Sequence, residues 1–185
     1  MKRSISLLLL ILCAHFSFAS NPKLQKEHRY GDRGRFGTIK TSFVMWNPDA
    51  GSPYSEYGVE IDLINGFAFN PYFMLGGGVG VDFKWEKLAA DQKTDLKTFI
   101  PIYAHIRCNI LDRRLTPVIA LNIGGAALVD DDKVQWGGWC VEPLAGIAVR
   151  LKNGKSIDLT ASLHVQGGIF LGWDIGHKIG VSYTW

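Results

Sequence analysis

The sequence predicts an all-β fold, an eight-stranded antiparallel up-and-down barrel that crosses a membrane, preceded by a cleaved signal peptide. Three observations carry this reading. From Arg35 onward the chain breaks into segments of roughly ten to thirteen residues that alternate with period two, none with a helical period. The segments number eight, an even count, and tight turns at one end alternate with longer connections at the other. Finally, one face of the segments is bulky and apolar while the opposite face is glycine-rich and charged, and a narrow barrel has room only for the second inside.

The elements follow in chain order. Lys2 and Arg3 open residues 1–19, Ile5 to Ala14 is almost unbroken apolar sequence, and Ser17-Phe18-Ala19 offers small residues where a signal peptidase cuts. Cleavage is expected after Ala19. The apolar run is shorter than the ~20 residues a spanning helix needs, and the bulky Leu12 before Cys13 argues against a lipid anchor. Residues 20–34 form a polar N-terminal segment, and 35–185 the barrel. A chain of 185 residues holds one such domain. Removing Lys2 and Arg3 takes the basic count from 20 to 18 against 17 acidic residues, a formal charge of +1. With its basic residues scattered, the chain offers no track for a phosphate backbone, and no nucleic-acid partner is expected. Twenty-one glycines against 7 prolines, without a fixed period, exclude collagen.

Four segments alternate most clearly: Glu56 to Leu63, Ile100 to Ile110, Ile157 to Gln166 and Trp173 to Trp185. In the second, Ile102, Ala104, Ile106, Cys108 and Ile110 oppose Tyr103, His105, Arg107 and Asn109. Weaker alternation marks Arg35 to Trp46, Tyr72 to Trp85, Arg114 to Val129 and Trp136 to Leu151. Tight turns are expected at Gly66 to Pro71, Asp112-Arg113 and Lys152 to Lys155, the last holding an Asn-Gly pair. Longer loops are expected at Asn47 to Pro53, Glu86 to Asp95, Asp130 to Gln135 and Gly167 to Gly172.

Side-chain bulk then orients the wall. On Tyr72 to Trp85, Phe73, Leu75, Val79, Val81, Phe83 and Trp85 share one face, while Gly76, Gly78, Gly80, Asp82 and Lys84 share the other. The second face fits the lumen. The same parity sends inward Lys40, Lys84, Arg107, Arg150 and Lys178 with Glu60, Asp62, Asp82, Glu142, Asp158 and Asp174, and His105 joins them. Enclosed charges must pair or cost several kcal/mol each, so five basic and six acidic residues suit a lumen charge network. Aromatics gather at segment ends: Trp46, Tyr54, Tyr57, Phe67, Phe69, Tyr72, Phe73, Trp85, Phe99, Trp136, Trp139, Phe170, Trp173 and Trp185. They are expected to form interfacial girdles.

The C-terminal run Lys178-Ile179-Gly180-Val181-Ser182-Tyr183-Thr184-Trp185 resembles the polar-x-Gly-x-x-aromatic-x-aromatic ending of bacterial outer-membrane barrels. Gly66 to Phe73, Leu75 to Gly80, Pro101-Ile102-Tyr103 with Arg107 and Asn109, and Pro143 to Ile147 with Arg150 are similar to the small outer-membrane beta-barrel domain proteins of Gram-negative bacteria, of OmpA/OmpX-like shape. The likeness covers about Gly34 to Trp185. It implies location in the outer membrane, contact with outer-membrane lipid and lipopolysaccharide, and reading of Gly180, Tyr183 and Trp185 by the barrel assembly machinery during insertion. The chain departs from that pattern at two places: His177 has a lipid-facing parity, and Trp136 to Leu151 has a less polar inner face.

No cofactor or metal is expected. Asp130-Asp131-Asp132 lacks the spaced ligands of a calcium loop, and Gly76 to Gly80 lacks the Lys-Ser or Lys-Thr of a phosphate loop. Cys108 and Cys140 fall on opposite faces, against a disulfide. Some outer-membrane barrels modify lipids through His, Ser and an acidic residue, but His105, His164 and His177 lack that company in sequence, and no enzyme is expected. The expected role is structural, surface-interacting or small-ligand binding, without a wide pore. A soluble exported lipocalin-like barrel carrying an apolar ligand is the rival reading, and a lipid-A-modifying enzyme the third.

Overall fold

The protein is described by a computed structural model over residues 33–47, 56–86, 95–130, 133–151, 154–168 and 172–185. The expected signal peptide and most of the polar N-terminal segment lie outside these residues. Within them the chain forms β1 (Gly34–Asn47), β2 (Glu56–Ala68), β3 (Phe73–Glu86), β4 (Asp95–Asn109), β5 (Leu115–Asp130), β6 (Lys133–Arg150), β7 (Ser156–Gly168) and β8 (Gly172–Thr184). Every strand pairs antiparallel with its sequence neighbour, and β1 pairs with β8, closing the barrel.

Closure follows from the alternation. Each strand presents an apolar row outward and a polar row inward, so a one-residue slip in any pair would reverse both rows. Outward, Ile61, Leu75, Ile102, Ile119, Ile147, Leu159 and Val181 are exposed around the wall, while inward Lys40, Asp62, Arg107, Glu142, Asp158 and Lys178 are buried. A water-soluble barrel has the opposite arrangement. Among the described residues no helix is long and apolar enough to cross a membrane.

The strands run further than the alternation indicates. β2 continues past Leu63 to Ala68, and β4 begins at Asp95 rather than Ile100. The connection expected at Asp130 to Gln135 shrinks to residues 131–132, because Asp130 pairs with Lys133 and the hairpin ladder continues almost to its tip. That expected at Gly167 to Gly172 shrinks to residues 169–171, with Gly168 paired to Gly172. Long connections therefore stand only between β1 and β2 and between β3 and β4. The three turns at the opposite end are tight: the Asn70 side-chain oxygen accepts from the Tyr72 and Phe73 backbone amides at 2.8 Å each, and Leu151 N donates to Lys155 O at 2.8 Å.

The broken alternation at the start of β6 has a local cause. Ala126 pairs with Gly138 but Ala127 with Trp136, leaving Gly137 as an extra residue in a bulge. Gly138 holds φ at 113°, a region that favours glycine, and Gln166 Nε2 satisfies the Gly137 carbonyl at 2.9 Å. The bulge resets parity, so Trp136 and Trp139, an odd number of residues apart, both face outward with rings 5.3 Å apart.

Two of the expected girdle aromatics turn inward instead. Trp46 and Phe99 are buried because they lie on the lumen rows of β1 and β4. Tyr57, Phe67, Phe69, Tyr72, Trp136 and Trp139 are exposed, while Phe73, Trp85 and Trp185 are half-buried. Tyr54, Phe170 and the Trp173 side chain lie outside the described residues.

Candidate functional site

The lumen is the one place where the fold concentrates polar chemistry, and it is layered along the axis. Nearest the turn end, Phe36, Ile64, Met74 and Tyr103 pack into an apolar plug. The Tyr103 ring lies where a side chain on Gly78 would stand, so the glycine row of β3 makes space for it.

Level with the plug, Arg107 forms a two-point contact with Asp158, Nη1 to Oδ2 at 2.5 Å and Nη2 to Oδ1 at 3.3 Å. Ser156 and Ser182 donate to the same carboxylate at 3.0 and 2.9 Å, and Arg107 Nε donates to Asn109 Oδ1 at 3.1 Å. A buried carboxylate with this many donors is fully compensated.

The middle layer centres on Glu142. Lys40 Nζ lies 2.9 Å from its Oε1 and Lys178 Nζ 3.4 Å from its Oε2. Ser162 donates to it at 2.7 Å and Asn122 at 3.3 Å, while Asn122 also meets His105 Nδ1 at 2.7 Å. Lys178 contacts Glu60 at 2.5 Å, and Lys40 lies 3.4 Å from Asp62 and 3.8 Å from Glu60. Buried Asp82 faces this layer beside Glu60 on the adjoining strand, and its Oδ1 has no hydrogen-bond partner among the described residues. Residues remote in sequence meet here because closure pairs β8 with β1, so the inward rows of β1, β2, β6 and β8 face one lumen.

The outer mouth is covered by Trp46. Its ring meets His164 edge-on at 5.0 Å, and Lys84 Nζ sits 4.6 Å from its centroid. Lys84 is held by Glu56 at 2.6 Å and Asp174 at 3.5 Å. Arg150, at the other end, bonds Asp112 in the β4–β5 turn.

The eleven residues expected as one lumen network therefore separate by depth. Lys40, Glu60, Asp62, Asp82, His105, Glu142 and Lys178 share the middle layer, Arg107 and Asp158 form a second group, Lys84 stands at the mouth, and Arg150 joins the turns. The geometry adds Glu56, Asn122 and Ser162, all on inward rows. Glu56 has the parity of Glu60 and could be read from alternation, whereas Asn122 lies on β5, whose alternation is weak.

Ser162, His164 and Glu142 come together, the residue types of an acyl-transfer triad. The arrangement differs from one. Ser162 donates to Glu142 rather than to His164, and His164 Nδ1 lies 3.9 Å from Glu142 Oε2; nucleophilic activation requires the serine and histidine to bond each other. His105 bonds Asn122, and His177 stands exposed on the outer face. Cys108 lies on the outward row of β4 and Cys140 on the inward row of β6, both as free thiols. A cavity of about 20 Å³ between Lys40, Arg107 and Asp158 has the room of a single water molecule.

No known family profile matches the chain, and no curated protein matches it by sequence. Solved structures do. Neisserial surface protein A superposes with a TM-score of 0.61 at 11% identity, covering 83% of this chain and 97% of that one. Ail, the attachment invasion locus protein of Yersinia pestis, gives 0.47 at 12% identity over 85% and 100%. The outer membrane enzyme PagL gives 0.42 at 16% identity over 78% and 97%. At such identities the likeness is one of fold. Closed antiparallel order, outward apolar rows and a charge-filled lumen agree with it: this chain has the fold of the small eight-stranded outer-membrane β-barrels.

Proposed function

We propose that the chain is an integral outer-membrane protein with a non-enzymatic structural, surface-interaction or small-ligand role and no wide pore. The observation that carries this reading is the division of the wall, with large apolar side chains exposed on the outward rows while Lys40, Lys178, Glu60 and Glu142 of the middle lumen are buried and paired. Such a surface matches hydrocarbon, and lipid and lipopolysaccharide would surround it. The lumen supports the absence of a wide pore, since the apolar plug and Trp46 fill its two ends. Recognition would then fall to the connections between β1 and β2 and between β3 and β4. Gly180, Tyr183 and Trp185, at the end of β8, would be read by the assembly machinery.

The Ser162 hydroxyl committed to Glu142 supports the non-enzymatic reading. The test is expression of the precursor in a Gram-negative host, followed by fractionation and comparison of unheated and boiled detergent extracts by gel. A band in the outer-membrane fraction that shifts on boiling is expected. Recovery in the soluble periplasmic extract without detergent would refute the proposal. Unchanged lipid-A mass spectra for His105→Ala, His164→Ala and His177→Ala relative to wild type would complete the case against a lipid-modifying activity.

A further inference from the structure

At the turn end the exposed charges among the described residues are basic apart from Asp112. Arg33 and Arg35 flank the start of β1, Arg113 and Arg114 lie in the β4–β5 turn, and Lys155 lies in the β6–β7 turn, all exposed. The acidic residue described among them, Asp112, is neutralised by Arg150, whose guanidinium also donates to Pro71 O at 3.3 Å and Leu111 O at 3.2 Å. Arg150 thus ties two turns together and removes the rim's negative charge. The β4–β5 turn is further fixed by Leu111 N donating to Thr116 Oγ1 at 3.0 Å and by Arg150 N donating to Arg114 O at 2.7 Å.

One of these cations adjoins an aromatic ring. Lys155 Nζ stands 6.0 Å from the Tyr183 ring, which stacks on Trp185 at 6.0 Å between centroids. Exposed Phe69 and Tyr72 occupy the β2–β3 turn, which carries no charge. Along β8 toward this end the outward row passes from Ile179 and Val181 to Tyr183 and then to Lys155, aliphatic to aromatic to cationic, the order of acyl chain, interface and phosphate in a lipid leaflet, while beside Arg113 and Arg114 the outward Ile110, Leu111 and Leu115 stay aliphatic up to the turn. The basic residues also come from three separate segments of a closed ring. A single docked protein would need them on one side, whereas a surrounding bilayer meets all of them.

We infer that the turn-end rim binds anionic phospholipid headgroups, holding phosphatidylglycerol in preference to phosphatidylethanolamine through Arg113, Arg114 and Lys155; the inference rests on the membrane-barrel reading. Guanidinium groups suit it because they engage phosphate oxygens at two points.

The test places the full mature chain in nanodiscs of equimolar phosphatidylglycerol and phosphatidylethanolamine and counts co-retained lipids by native mass spectrometry. Wild type is expected to retain phosphatidylglycerol about threefold over phosphatidylethanolamine, and the preference should fall as salt is raised from about 0.05 to 0.5 M. The combined variant R113Q/R114Q/K155Q should lose the preference, while K133Q at the opposite rim should keep it. Equal retention by wild type, a salt-insensitive preference, or an undiminished preference in the triple variant would overturn the inference. Insertion is read separately from the boiling-dependent band. A wild-type band without lipid preference rejects only this inference, and no band rejects the barrel reading with it. If the triple variant alone fails to fold, the wild-type preference and its salt response decide the matter.

Discussion

The indole of Trp185 lies over Gly37: a side-chain carbon built on Gly37 would stand 2.7 Å from Trp185 Cε2 and Cζ2. Their backbones exchange hydrogen bonds, Gly37 N to Trp185 O at 3.0 Å and Trp185 N to Gly37 O at 2.9 Å. The last residue of the chain thus fastens the first strand, at the seam where β1 and β8 close the barrel. Gly37→Ala forces the ring aside and should cost about 1–3 kcal/mol as overpacking. Urea unfolding in detergent micelles, followed by the boiling-dependent band, measures it. A midpoint equal to wild type would show the ring moving freely.

Lys178 is shared between Glu60 and Glu142. Lys178→Met leaves both carboxylates short of a cation and should destabilise by about 3–5 kcal/mol. Adding Glu60→Gln should recover at least about 1 kcal/mol, because it removes one of the stranded charges. The four proteins form a double-mutant cycle under the same unfolding assay. Strictly additive losses would mean that the two groups do not sense each other.

Ile102, at the midpoint of β4, is 64% exposed. In a bilayer Ile102→Arg should cost about 2–4 kcal/mol, the penalty for arginine near the midplane. On a water-facing wall the same change should stay within about 0.5 kcal/mol. Unfolding in lipid vesicles therefore tests the environment of the wall directly.

Two glycines on adjoining strands should respond differently to the same change. An added carbon on Gly66 collides with the Leu75 carbonyl and, at 2.6 Å, the Gly76 backbone, whereas on Gly77 the nearest atom is the Tyr103 carbonyl at 3.7 Å. Gly66→Ala should lose about 1–3 kcal/mol by forcing the strands apart. Gly77→Ala should remain within about 0.5 kcal/mol of wild type. Equal effects at the two sites would contradict the packing described.

The periodicity of the chain determined that there are eight strands and which residues share a face, and side-chain bulk determined that the closed sheet turns its apolar rows outward. These are consequences of side-chain alternation and bulk, which each strand carries locally. Tyr103, His105, Arg107 and Asn109 all lie on the row their alternation assigns. Trp46 and Phe99 sit at segment ends, as girdle residues do, but they share the parity of Lys40 and Tyr103 and so belong to the lumen rows, as alternation alone already assigns. Tertiary structure decided what no strand carries alone. The two outward tryptophans of β6 depend on the bulge at Gly137, which arises only when β6 is matched against β5. Partner choice among the buried charges is of the same kind. Lys40 and Glu142 are 102 residues apart, and parity places both inward without saying that they meet at 2.9 Å. Depth in the lumen is set by strand stagger, a property of the whole ring, and an enclosed charge bonds whatever lies at its own depth.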